Sequence, residues 1–164
     1  TILCCRRVAA GDDGDTELAN GYAAYDALSD ADKTLVDGLQ VKHSFAAAQR
    51  KSYPDAPEKL QKAWEDAPSR VHPLVNTRYD GRKWLMVGAT ADHIVGWDAA
   101  ESSALLERLL DWCTQPQFVI RHRWTVGDMV MFDNQGVLHR AMQYSSESPR
   151  LMHRIMVRQL SPAA

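Results

Sequence analysis

Apolar and polar positions divide this chain into short alternating runs and one long amphipathic segment. Thr1 to Val8 reads as a strand, and the Ala10-Gly11-Asp12-Asp13-Gly14-Asp15 cluster as a turn. Asn20 is placed to cap a first helix carrying Tyr22, Ala23, Ala24 and Leu28. Ser29 is placed to cap a second, Asp30 to Leu39, with Asp30 and Asp32 where they suit the helix dipole. Gln40 to Phe45 alternates like a half-buried strand. Ala46 to Pro68 is polar, carries Pro54, Pro57 and Pro68 and shows no clear period, so it reads as a loop excursion of the kind that covers sites. Arg70 to Val75 and Lys83 to Gly88 read as a strand pair joined through Asp80-Gly81.

Ala99 to Thr114 is the strongest helix pattern. Leu105, Leu106, Leu109, Leu110 and Trp112 form its apolar stripe, Asp98 is its cap and Pro116 its stop. Strands follow at Phe118 to Trp124, Met129 to Asp133, Val137 to Met142 and Leu151 to Leu160. Strands dominate around one long helix, which predicts a mainly β fold with inserted helices (α+β), a sandwich or barrel with helices outside, in a single domain covering 1–164.

Composition changes this picture little. The 164 residues suffice for one domain with a core, and 45% apolar with 24% charged residues is ordinary for a globular protein. A net charge of −2 gives no electrostatic reason to expect nucleic acid or an anionic membrane, and no apolar run is long enough to span a bilayer. Cys4, Cys5 and Cys113 are an odd set without metal-site spacing, which predicts reduced thiols in a cytoplasm. The chain opens on Thr1 with a strand already under way, as expected of a fragment.

Candidate chemistry concentrates at the end of the chain. Period 2 puts Arg150, Met152, Arg154, Met156 and Arg158 on one face of the last strand. The other face, Leu151, His153, Ile155 and Val157, is mainly apolar and calls for a core. Arg150 and Arg154 would lie about 13 Å apart, four strand residues, too far to grip one carboxylate together. Two readings of the cationic face stand: a solvated surface with ion pairs, or anchors for two anions or the two ends of a small site. His139 likewise reads either as a satisfied strand-end histidine or as a metal ligand.

Three late motifs occur together. They are Arg121-His122-Arg123-Trp124-Thr125-Val126-Gly127-Asp128, Phe132-Asp133-Asn134 leading to Leu138-His139-Arg140, and Pro149-Arg150-Leu151-Met152-His153-Arg154. Upstream stand Gly14-Asp15-Thr16-Glu17, Tyr22 to Leu28, and Val71-His72-Pro73-Leu74-Val75 before a hairpin. In this order, over nearly the whole chain, they resemble the taurine/2,4-dichlorophenoxyacetate dioxygenase family, which depends on Fe(II) and 2-oxoglutarate. The resemblance implies a double-stranded β-helix (jelly roll), N-terminally truncated, the C-terminal portion of an oxygenase that hydroxylates a small organic acid and releases succinate and CO2. It implies His139 as the C-terminal iron ligand, Arg150 and Thr16 as partners of the distal 2-oxoglutarate carboxylate, and Arg154 as a second arginine facing a substrate or co-substrate anion. His139, Arg150 and Arg154 should then face a common centre.

One departure stands against activity of the chain alone. The family's triad needs an H-x-D or H-x-E pair, and none of the six histidines is followed two positions on by Asp or Glu. A single imidazole does not hold Fe(II) usefully. Without the family's N-terminal strands, open sheet edges predict self-association into a homo-oligomer. The alternatives are a non-catalytic truncated homologue that binds an organic acid, or an oligomeric β-structural protein.

Overall fold

Side-chain caps start three of the helices where the sequence places them. In the computed structural model, which describes residues 1–9 and 13–157, Asn20 Oδ1 accepts from the Ala23 N–H at 3.1 Å and opens α1 (Gly21–Asp26). Ser29 Oγ accepts from Asp32 N–H at 3.0 Å and opens α2 (Asp30–Val36). Asp98 Oδ1 accepts from Ala100 and Glu101 N–H at 2.8 and 3.3 Å ahead of the long helix Ala99–Cys113. Each bond satisfies a first-turn donor that the helix cannot satisfy itself. α2 stops three residues short of the expected Leu39, and the chain then turns through Gly38 at φ +72.

The 46–68 region is not the irregular excursion its composition suggests. Ser44 Oγ accepts from Ala47 N–H at 3.1 Å and starts a helix at Phe45–Ser52, and a second helix runs Glu58–Glu65. Alanines favour the first intrinsically. Ala46, Ala47 and Trp64 are their buried residues, too few to write an apolar stripe into the sequence.

The described residues form two compact units. In Asn20–Phe118, β3 (Gln40–His43) is the centre of an antiparallel sheet, flanked by β4 (Arg70–Pro73) and β7 (Ala91–Ile94). β5 (Val75–Thr77) and β6 (Lys83–Leu85) form the hairpin around Asp80-Gly81. The expected pairing of Arg70–Val75 with Lys83–Gly88 is therefore split. Leu74, 0% exposed, is where the chain changes sheets: its N–H donates to Leu39 O and its carbonyl accepts from Met86 N–H. With β3 and the Phe45–Ser52 and Glu58–Glu65 helices counted as α3 and α4, the long helix is α5. It lays Leu105, Leu106 and Leu109 against this core, each worth about 2 kcal/mol of burial. Ser102 joins it to β7 by accepting from Ile94 N–H at 2.6 Å.

The other unit, the described residues of Thr1–Ala19 and Val119–Ala164, holds two three-stranded sheets. In one, β1 (Ile2–Arg7) runs antiparallel between β11 (Leu151–Ile155) and β9 (Met129–Met131). In the other, β2 (Thr16–Asn20) lies between β8 (Val119–His122) and β10 (Val137–Ala141). β2 and β7 have no counterpart in the sequence reading. Register places Ile2 opposite both Ile155 and Met131, and Cys4 opposite His153 and Met129. That face does not form the expected core: Leu151 is 39%, Ile155 54% and Met131 75% exposed. The expected Ala10–Asp12 turn residues and the Arg158–Leu160 end of the last strand lie outside the described residues. Among the described residues no helix is long and apolar enough to cross a membrane.

Candidate carboxylate site

Glycine at position 14 lets the chain approach an arginine from far along the sequence. Gly14 has φ +76, and a Cβ there would sit 2.8 Å from Arg150 Cδ and 2.9 Å from its Nε. The space is needed because Arg150 Nε donates to the Gly14 carbonyl at 3.0 Å. The guanidinium also lies over the Tyr144 ring, its Cζ 4.9 Å from the centroid. A backbone carbonyl and an aromatic ring thus restrain the guanidinium. Among the described residues its terminal nitrogens meet no acceptor.

Arg150 lines a cleft of about 80 Å³ together with Cys5, Gly14, Asp15, Arg123 and Trp124. The space admits a carboxylate end-group. Asp15, 3% exposed, is committed elsewhere: its Oδ2 accepts from Arg121 Nε at 2.7 Å, with Arg123 Nε at 3.9 Å. Among the described residues Arg150 makes no ion pair, and the Asp13 carboxylate lines the same cleft. Burial raises the Cys5 thiol pKa, which the nearby Arg150 charge partly opposes.

Thr16 lies directly opposite His122 in the β2–β8 pair and is 3% exposed. Its Oγ1 accepts from Trp124 Nε1 at 2.9 Å. Trp124 stands edge-on to His122, centroids 4.4 Å apart, and His122 Nε2 lies 3.1 Å from Asp128 Oδ2. Thr16 therefore connects to the Arg150 cleft through Trp124.

His139 belongs to the same sheet. Arg140 Nη2 reaches Glu17 Oε2 at 2.7 Å, so Arg140 and Glu17 share one face, and the alternation of β10 turns His139 toward the face of Thr16 and Leu18. Its ring packs on Phe132, centroids 5.0 Å apart. Burial first, then the Arg154 guanidinium, hold its pKa below the usual imidazole value. Arg154, opposite Leu3 in the β1–β11 pair, is thus an electrostatic neighbour of His139 across the two sheets. The structure brings Arg150 and Trp124 to one cleft, with Thr16 bonded to Trp124 but outside the lining, and the Arg154 charge acts on His139. His139 does not line the Arg150 cleft. Asp133 shapes a turn by accepting from Gln135 N–H at 3.0 Å.

Iron does not fit the residues of this chain by themselves. Among the described residues no group of three His, Cys, Asp or Glu side chains is arranged to hold a metal ion, and the sequence has no H-x-D or H-x-E. Gly14, Trp124, Tyr144 and the Asp15–Arg121 pair gained no individual role from the sequence. Their signal is long-range: Trp124 meets Thr16 108 positions away, and Arg150 meets Gly14 136 positions away.

Residues 1–156 match the family described as "Taurine catabolism dioxygenase TauD, TfdA family". An alpha-ketoglutarate-dependent 2,4-dichlorophenoxyacetate dioxygenase of Cupriavidus pinatubonensis is 42% identical over 143 residues, 86% of this chain and 49% of that protein. The structure of AAD-2 with Mn(II) and N-oxalylglycine superposes with a TM-score of 0.82 at 32% identity, covering 93% of this chain and 60% of that one. A taurine dioxygenase from Burkholderia xenovorans superposes with a TM-score of 0.75 at 29% identity, covering 92% and 49%. The chain spans about half the length of the relatives it matches. With a family model matching residues 1–156 and solved jelly-roll relatives superposing over most of its length, the chain belongs to the TauD/TfdA family of 2-oxoglutarate-dependent dioxygenases.

Proposed function

We propose that this chain is the part of a 2-oxoglutarate-dependent dioxygenase that anchors the co-substrate's distal carboxylate, with Arg150 and Thr16 as its partners. The observation that carries the reading is the restrained Arg150 guanidinium, whose terminal N–H groups face a small cleft beside the Trp124–Thr16 pair. A planar guanidinium matches a carboxylate in a two-point fork, and a threonine hydroxyl adds a donor. His139 supplies one imidazole toward a metal centre. The remaining ligands have no source in this sequence, so no reaction step is assigned to the chain alone. Arg154, beside His139, is the candidate partner for a substrate or co-substrate anion, and the substrate class is a small organic acid. Free Cys4, Cys5 and Cys113 support a reducing, cytoplasmic setting. The exposed apolar face of β1, β9 and β11 supports self-association.

Calorimetric titration of the chain with 2-oxoglutarate tests this. Arg150→Ala should weaken binding by about 10- to 100-fold, the weight of a hydrogen bond to a charged group. Equal affinity in a folded Arg150→Ala variant overturns the reading. The second reading, a non-catalytic homologue that binds an organic acid at the same cleft, is favoured by the absence of a three-ligand cluster among the described residues. It predicts the same titration and no turnover with Fe(II) added.

A further inference from the structure

We infer that Trp124 is a positioning residue that occupies one lone pair of the Thr16 hydroxyl and so directs its proton away from the indole, toward a bound carboxylate. The inference rests on the carboxylate-site reading above and adds to it a residue that acts through Thr16.

A threonine hydroxyl has one proton and two acceptor lone pairs, and by rotation it can face a neighbour as either donor or acceptor. An indole N–H has no such ambiguity, since it donates and cannot accept. Trp124 Nε1 lies 2.9 Å from Thr16 Oγ1, so the direction of this bond is settled: tryptophan donates and threonine accepts. One lone pair of Oγ1 is then occupied, and the hydroxyl proton must point elsewhere. Among the described residues that proton has no acceptor. Thr16 is 3% exposed, so water has little access to it. A carboxylate, which offers lone pairs and no proton, is the complement of such a group. The indole N–H also polarises the hydroxyl, which strengthens its own donation.

The surroundings hold the indole in this pose. The His122 ring stands edge-on at 83° with centroids 4.4 Å apart. Asp128 Oδ2 anchors that imidazole at 3.1 Å and also accepts from Thr125 N–H at 2.8 Å, next to Trp124 in sequence. Strand pairing places Thr16 opposite His122, so the register of β2 on β8 delivers the hydroxyl to the indole. Trp124 lines the Arg150 cleft and Thr16 sits behind it on the indole N–H, so the indole links the hydroxyl to the space the cation faces.

A double-mutant cycle with 2-oxoglutarate as the probe tests the inference on the chain itself. Thr16→Val removes the hydroxyl at nearly constant shape, and Trp124→Phe removes the N–H and keeps an aromatic ring. Thr16→Val should weaken binding by about tenfold or more, as expected of a hydrogen bond to a charged group, Trp124→Phe by less, and the double variant should be no weaker than Thr16→Val. The second readout is the Trp124 indole ¹H–¹⁵N resonance, identified by its loss in Trp124→Phe. It should shift when 2-oxoglutarate is added to the unmodified chain and stay fixed in Thr16→Val. Independent, multiplicative losses in the cycle, or an indole shift that persists without the hydroxyl, overturn the positioning role. If Trp124→Phe does not fold, the indole resonance assigned by sequential methods in the Thr16→Val variant still decides it. Failure of the underlying site reading looks different: Arg150→Ala would then bind as tightly as the unmodified chain.

Discussion

Gly14→Ala probes the point where backbone conformation and ligand site meet. The substitution imposes two separable penalties. At φ +76 an L-residue carries a cost of about 1–2 kcal/mol in the left-handed region, whatever surrounds it. The new methyl would also stand 2.8 Å from Arg150 Cδ and 2.9 Å from Nε, closer than carbon and nitrogen pack, so the arginine must leave its place against the Gly14 carbonyl. Losing that charge-assisted bond adds about 1.5–3 kcal/mol. Urea unfolding should therefore show a loss of about 2.5–5 kcal/mol in Gly14→Ala, but only about 1–2 kcal/mol when the same change is made in Arg150→Ala, where the steric conflict is gone. Binding should follow the arginine: Gly14→Ala should weaken 2-oxoglutarate about tenfold or more in the unmodified background and have no further effect in Arg150→Ala. Equal stability costs in both backgrounds, or unchanged affinity in Gly14→Ala, would refute the claim that this glycine exists to seat the guanidinium.

Ser102→Ala should destabilise the protein by about 1–3 kcal/mol, because it leaves the buried Ile94 N–H without the Ser102 Oγ acceptor it now meets at 2.6 Å. Urea midpoints at constant m-value check this. Burial, then the charges of His72 and Lys51, lower the pKa of His43, whose Nδ1 lies 3.0 Å from Thr90 Oγ1. The unfolded chain therefore binds a proton at this site more readily than the folded one. The contribution of His43 is fully present above the free-imidazole pKa of about 6.5 and is lost as pH falls toward the folded value. Stability measured at pH 8 and pH 5.5 should drop on acidification, and His43→Gln should flatten that drop; an unchanged pH dependence in His43→Gln contradicts the assignment.

What the sequence discloses follows the range of the interactions. Asn20, Ser29 and Asp98 act within three residues of themselves, and their capping roles are legible without any tertiary knowledge. The α5 stripe is legible because Leu105, Leu106 and Leu109 repeat at helical spacing on one buried face. The pairing of Arg70–Pro73 is not legible because its partner β3 lies some thirty residues upstream, whereas a hairpin signal lies close at hand. β7 escaped because Asp92 and His93 interrupt its apolar ends, and β2 because Glu17 looks solvent-directed until Arg140 pairs with it. Family motifs carried His139, Arg150 and Thr16 as candidates. That Trp124 donates to Thr16, and that Arg150 leans on Gly14, depends on strand register and on a turn joining distant residues.

A crystal structure of the chain soaked with 2-oxoglutarate tests the central claim most directly. The distal carboxylate should lie within hydrogen-bond distance of the Arg150 terminal nitrogens and of Thr16 Oγ1, with the Trp124–Thr16 bond intact. A co-substrate seated instead with that carboxylate on Arg154, or away from Arg150 altogether, would contradict it.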